Sequence, residues 1–232
     1  MTAASHRHPT IEWAGESLGL LPAHALWWPR ERTLFIADTH FGKASTFRHF
    51  GIPVPEESHD DDLARLSSVL HATNAEHLVI LGDFLHAPTG CTPDVMQSIA
   101  SWRAKHEQLA ITLILGNHDR KAGVPLEEWN IKTCALPTQI GPFECHHEPP
   151  DSEETGTKYC LAGHLHPAHR LSERTGSGIS SRCFIVKEHL AILPAFGSFT
   201  GSHYPRTDQG DRTFIIGPDE VIEIPSAARI KG

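Results

Sequence analysis

Four short apolar runs, Thr33–Ala37, His77–Leu81, Ile111–Leu115 and Tyr159–Ala162, each lead into a polar turn that contains a glycine. Runs this short and this rich in Val, Ile, Leu and Phe read as buried strands, since a helix needs roughly twice the length to bury one face. Between them, Glu56–His71 places Leu63, Leu66, Val69 and Leu70 on one face behind an acidic start. Pro93–His106 opens on proline and spaces Val95, Ile99 and Trp102 in the same way. Both spacings predict amphipathic helices. Strands that alternate with helices imply βαβ crossovers and a central sheet covered on both faces. From Cys183 onward the pattern becomes strand after strand, Cys183–Lys187, Leu190–Leu193, Thr213–Ile216 and Val221–Ile224, joined by short turns. That part predicts a second, mostly antiparallel sheet packed on the first. The fold class is therefore α/β, with two packed β-sheets flanked by helices.

Composition narrows the function. The 232 residues suit one large domain over 1–232, and 39% apolar content can fill its core. A formal charge of -8 makes the surface as a whole repel polyanions, so any contact with nucleic acid is local. Histidine, at 18 residues, is in excess, and imidazole is the commonest metal ligand among side chains. The five cysteines, at 91, 134, 145, 160 and 183, are odd in number and lack Cys-x-x-Cys spacing, which argues against a disulfide framework and a zinc ribbon. A reducing cytoplasm fits them. Residues Met1–Trp13 have no leader pattern, and no apolar run approaches the roughly 20 residues of a membrane span. The polar stretch Glu148–Lys158 reads as a surface loop.

The metal-type residues fall immediately after the buried strands, where open α/β sheets place their sites. The first run is followed by Asp38-Thr39-His40-Phe41-Gly42-Lys43, the second by Gly82-Asp83-Phe84-Leu85-His86, and the third by Gly116-Asn117-His118-Asp119-Arg120. His146 and His147 stand near the polar stretch, and Gly163-His164-Leu165-His166-Pro167 follows the fourth run. Singly, such residues cap helices or form turns. Jointly, three oxygen donors and at least four imidazoles meet the demand of two divalent ions. If these segments are extended, Asp38 and His40 face one ion, as do His164 and His166, because alternate residues point the same way. Gly82, Gly116 and Gly163 then relieve crowding where the backbone turns beside the metals.

Asp-x-His, Gly-Asp, Gly-Asn-His-Asp and Gly-His-x-His, in this order from Asp38 to His166, resemble the calcineurin-like metallophosphoesterase superfamily. More narrowly, the chain is similar to the bacterial ligase-associated DNA-damage-response phosphoesterases. The residues that carry this are Asp38 to Ala44, Phe47-Arg48, Gly51-Ile52-Pro53-Val54-Pro55 and Phe196-Gly197-Ser198-Phe199-Thr200-Gly201. The resemblance implies a four-layer αββα sandwich. It implies that Asp38, His40 and His166 bind a first ion, that Asp83 bridges, and that Asn117 and His164 bind the second. A family histidine two positions before a proline points to His147, while His146 beside it leaves the register open. His118 resembles the family's proton donor and, with Asp83 and Asn117, makes up the catalytic set. Asp119 stands where many members have Glu, a shortening expected to alter only hydrogen bonding around the ligands.

The expected reaction is attack of a metal-bridging hydroxide on a phosphodiester, with His118 protonating the leaving alkoxide. Nitrogen and oxygen donors together suit Mn, Fe, Zn or Co better than Mg or Ca, and the family puts manganese first. DNA is the implied substrate, in DNA repair, with a ligase, helicase or exonuclease as possible partners and no membrane. A phosphomonoesterase or small-molecule diesterase with the same metals is the rival reading. A non-catalytic metal-binding module of a repair complex is the other, and His118 weighs against it. Lys43, Arg48 and Arg120 are candidate phosphate contacts beside the ligand turns, and His86 a candidate substrate contact. Trp27, Trp28, Trp102 and Trp129 read as packing residues, and Asp60-Asp61-Asp62 as an exposed acidic helix start.

Overall fold

The computed structural model describes residues 8–54, 58–123, 127–151, 155–172 and 178–225. Outside them lie His6, Glu56 and Glu57 at the start of the expected first helix, and residues 152–154 of the expected loop. A meander of β1 (Thr10–Trp13), β2 (Glu16–Leu21) and β3 (Ala25–Trp28) enters β4 (Thr33–Ile36) antiparallel, and β5 (His77–Ile80), β6 (Ala110–Ile114) and β7 (Ile131–Cys134) continue the sheet in parallel. The sequence reading missed the meander because its alternation is interrupted by tight turns. Trp13 pairs with Glu16, so Ala14-Gly15 forms a two-residue hairpin loop, and both residues have the positive φ that such a loop requires (56° and 74°).

The second sheet comprises β8 (Thr138–Ile140), β9 (Phe143–Cys145), β10 (Tyr159–Ala162), β12 (Gly178–Val186), β13 (Leu190–Ile192), β14 (Arg212–Ile216) and β15 (Val221–Ile224), with β11 (Ala168–Ser172) paired to β12. Most of its pairs are antiparallel, as expected. One strand changes sheets. The run Tyr159–Ala162, grouped by its sequence with the central sheet, lies in the second sheet as β10, parallel to both β9 and β13.

Among the described residues four α-helices connect these strands: α1 (Lys43–His49), α2 (Ser58–Thr73), α3 (Pro93–Lys105) and the single turn α4 (Asp119–Ala122). Pro93 at the first position of α3 and the Thr92 hydroxyl accepting from Val95 N–H define its start. Leu63, Leu66, Val69 and Leu70 of α2 and Val95, Ile99 and Trp102 of α3 pack on Leu34, Ile36, Leu78, Ile80, Ile111 and Leu113. The opposite face of the same strands, Phe35, Ala37, Val79, Leu81 and Ile114, meets Phe143, Cys145, Leu161, Phe184 and Phe214 of the second sheet. The central sheet is thus covered by helices on one face and by the second sheet on the other, and for that reason β4 is buried at all its positions. On the outer face of the second sheet the small cluster of Cys183, Ile185 and Ile192 takes its neighbours from strands and turns. Among the described residues the two long helices both lie on the first sheet, so the helical flanking of the expected sandwich is one-sided.

Trp28, Trp102 and Trp129 are buried and Trp27 half-buried, in keeping with packing roles. The acidic triplet needs correction. Asp60 and Asp61 are exposed, but Asp62 is buried and accepts both Ser198 N–H (2.9 Å) and Arg65 Nη2 (2.8 Å). It pins the Phe196-Gly197-Ser198 segment, whose N–H groups reach Ala37 O (2.7 Å) and Asp38 O (3.1 Å). The Asp62 carboxyl is pushed up by burial, against the pull of Arg65 and Ser198. Its partner lies 136 residues away, beyond the reach of local pattern.

Candidate metal centre

The turns that follow β4, β5, β6, β9 and β10 meet at one end of the sandwich and are tied by backbone bonds. Asp38 N–H donates to Gly82 O (3.1 Å), His40 N–H to Asp83 O (2.8 Å) and Gly163 N–H to His147 O (3.0 Å). Asp38, His40, Asp83, His164 and His166 all have left-handed φ, between 47° and 66°. Each such residue costs about 1–2 kcal/mol without a compensating contact. The extended geometry expected for Asp38-x-His40 and His164-x-His166 is therefore not what forms. Asp38 and His40 still converge, whereas His164 and His166 part to different groups. Gly82, at φ 83°, approaches His147 so closely that a Cβ would enter the ring, and a Cβ on Gly116 would enter the Asp83 carboxylate.

Beside the all-imidazole cluster of His40, His86 and His118, two donor groups that contain a carboxylate result here. Asp38, His40 and His166 form one, with donor atoms within 4.8 Å of each other. His40 Nε2 is 3.2 Å from His166 Nε2, and His166 Nε2 is 3.6 Å from Asp38 Oδ1. Asp83, His147 and His164 form the other. His147 Nε2 is 3.4 Å from Asp83 Oδ1, 3.1 Å from His164 Nδ1 and 3.0 Å from Asn117 Oδ1. Asp83 also faces the first group, with Oδ2 at 3.7 Å from His40 Nε2. Two of the rings are held from behind: His147 Nδ1 donates to Leu81 O (3.0 Å) and His166 Nδ1 to Gly201 O (3.2 Å). This fixes the tautomer that turns an Nε2 lone pair inward. His146 points elsewhere, toward Glu144 Oε1 at 3.0 Å.

The electrostatics fit a cation. Burial drives the His40 imidazole down to about 2, so it stays a neutral donor. For His147 burial also pulls down, but the hydrogen bond and charge of Asp83 outweigh it and raise the imidazole, while the same contact holds the Asp83 carboxyl low. Asp38 Oδ1 is buried with no hydrogen-bond partner among the described residues, and paired imidazole nitrogens face one another. An orphan carboxylate oxygen surrounded by inward lone pairs is a donor set that divalent ions complete.

His118 stands beside this centre. Its ring lies edge-on to His40 (4.9 Å between centroids) and stacked on His86 (4.7 Å). Its Nδ1 donates to His86 O (2.7 Å), and its backbone N–H donates to Asp83 Oδ1 (2.9 Å). Burial lowers His86 to about 4. Asp119 is fully buried and accepts Leu85 N–H (3.0 Å) and Gly116 N–H (2.9 Å), which locks the β5 and β6 turns together. Lys43 is half-buried, and burial lowers its ammonium while Asp83 and Asp38 oppose the shift. Arg48 turns to Ser45 Oγ (2.9 Å) and Val54 O (3.5 Å), and Arg120 is exposed on α4. Sequence reasoning missed Arg182, which donates to Ala195 O, Ser198 O and Thr200 Oγ1 and holds the segment that lies against Ala37 to Thr39. No local signal marked it.

Comparison with known proteins gives a concordant result. The calcineurin-like phosphoesterase family matches residues 31–177. Among solved structures, the Pseudomonas putida nuclease MPE is 36% identical, with a TM-score of 0.80 over 94% of this chain and 100% of that one. The E. coli phosphoesterase Yfce matches at 12% identity over 83% of this chain and 97% of its own, with a TM-score of 0.38 that carries no argument. No curated protein matches significantly. No described helix is long and apolar enough to cross a membrane.

Proposed function

Because this chain belongs to the calcineurin-like phosphoesterase family and is a metal-dependent phosphoesterase, we propose that it is a nuclease that cleaves DNA phosphodiesters in cytoplasmic DNA repair. In this reading Asp38, His40, Asp83 and His166 hold one divalent ion, and Asp83, Asn117, His147 and His164 the other. The observation that carries it is the sharing of Asp83 by the two donor groups, with His118 alongside. Divalent ions held there, manganese foremost among Mn, Fe, Zn and Co, would supply positive charge against the phosphate oxygens and lower the pKa of a water.

The side chains do the rest. His118 keeps Nδ1–H on His86 O, so Nε2 is the atom that takes up a second proton and gives it to the leaving alkoxide. Asp119 fixes the turns that carry Asp83 and His118. Lys43 and His86 meet the phosphate from the α1 side, and Arg120 adds charge at the rim. The 36%-identical nuclease supports a nucleic acid as substrate, and the resemblance of the motifs to the ligase-associated phosphoesterases favours DNA. The net charge of -8 favours the rival, a small-molecule diester.

A substrate panel on the manganese-loaded protein tests this: single-stranded and duplex DNA, a nitrophenyl diester and a nitrophenyl monoester. Cleavage of DNA and the diester above the monoester, abolished by chelation, is expected. Preference for the monoester, or diester turnover without DNA cleavage, transfers the assignment to the rival. No turnover of any substrate leaves a metal-binding module.

A further inference from the structure

We propose that Glu144, His146 and Cys160 form a third metal site, on the outer face of the second sheet, for a borderline-soft divalent ion of the zinc class. Their donor atoms lie within 4.8 Å of one another, and none belongs to the two groups around Asp83. Strand register builds the site. Glu144 and Cys160 stand opposite each other on parallel β9 and β10, and His146 is held to the same strands by its N–H on Leu161 O (2.9 Å). Phe143 and Cys145 point into the core between the sheets, so Glu144 and His146 face the other way. His146 Nε2 lies 3.0 Å from Glu144 Oε1, while Oε2 accepts from Lys158 Nζ at 2.7 Å. Lys158 thereby orients the carboxylate and leaves Oε1 for an ion.

A thiolate, an imidazole and a carboxylate are three ligands of the kind that zinc takes, with a fourth position for water. The sulfur separates this site from the nitrogen and oxygen donors around Asp83, which suit manganese. Binding replaces the Cys160 S–H bond by a sulfur–metal bond and delivers the thiol proton to solvent. Without an ion that proton stays, because burial and the Glu144 charge push the thiol up. Glu144 and His146 side chains, 13% and 14% exposed, give the ion its way in. β9 leads directly into His147, and β10 into His164. An ion joining β9 to β10 therefore clamps the two strands that deliver both imidazoles of the Asp83 group.

Cobalt(II) titration of the manganese-loaded full chain tests the proposal through thiolate-to-cobalt charge-transfer absorption. Cobalt that exchanges into the sulfur-free centre adds nothing to that band. One equivalent is expected to generate it, Cys160→Ser to abolish it, and Glu144→Gln to weaken cobalt binding by at least about 10-fold. Absence of the band overturns the site, as does a band that survives Cys160→Ser, which would place the thiolate at half-buried Cys91 or Cys134. Should Cys160→Ser fail to fold, Glu144→Gln decides alone, and unchanged affinity there overturns the site.

Discussion

His146 and His147 are chain neighbours that serve two differently built regions. His147 belongs to the centre around Asp83, whose donors come from five separate turns and whose backbone is left-handed at Asp38, His40, Asp83, His164 and His166. His146 belongs to the Glu144 and Cys160 group, built on two adjacent strands in ordinary register. The first region stores strain and exists only when both sheets are assembled. The second arises wherever β9 and β10 pair. Donor convergence from distant turns permits two groups to share one carboxylate, which local strand register does not supply. Donor density is thus gained at the cost of strained backbone.

The strongest test of this contrast is Asp83→Asn. An amide lacks the charge that faces both groups, so metal analysis should find fewer than two manganese equivalents and diester hydrolysis should collapse. The cobalt–thiolate band at Cys160 should remain. Loss of that band together with manganese would mean that the two regions are not independent.

His118→Asn should separate chemistry from assembly within the first region. General acid catalysis contributes about 10²–10⁴-fold, so cleavage of DNA or alkyl diesters should fall by that factor with manganese content unchanged. A nitrophenyl diester, whose leaving group needs little protonation, should lose much less. Equal losses on both substrates would remove the acid role.

Phe143→Ala probes what the regions share. This ring is wholly buried on β9 between the sheets, against Trp13, Trp28 and Phe35. Urea unfolding should show a loss of about 3–5 kcal/mol. Gly82→Ala should act on the first region only. The left-handed φ costs about 1–2 kcal/mol, and the added methyl displaces the His147 ring, so manganese affinity falls while the thiolate band persists. The smallest effect belongs to Arg212→Ala on the second sheet, far from β9 in strand order. Its half-exposed pair with Glu223 contributes less than about 1 kcal/mol, so stability and both metal readouts should stay close to wild type.

Amino-acid order alone determined the strands β4, β5, β6 and β10, the helices α2 and α3, and where donors of the metal-binding type fall along the chain. These rest on apolar periodicity, chain length and donor type, all local properties. The resemblance of the spaced motifs to one superfamily supplied the grouping of the donors. Tertiary structure decided what those properties leave free. β10 joined the second sheet because apolar runs buried on both faces do not specify their neighbours. His146 kept the outward direction set by β9, while His147 was fixed inward by its Nδ1–H on Leu81 O just after β5, a contact 66 residues away in sequence that only the assembled sheets supply. His164 and His166 parted because left-handed φ at non-glycine residues is imposed by the surrounding backbone bonds and not by the side chain. Asp62 became a buried anchor because its partner, Ser198, is a contact that only folding brings within reach.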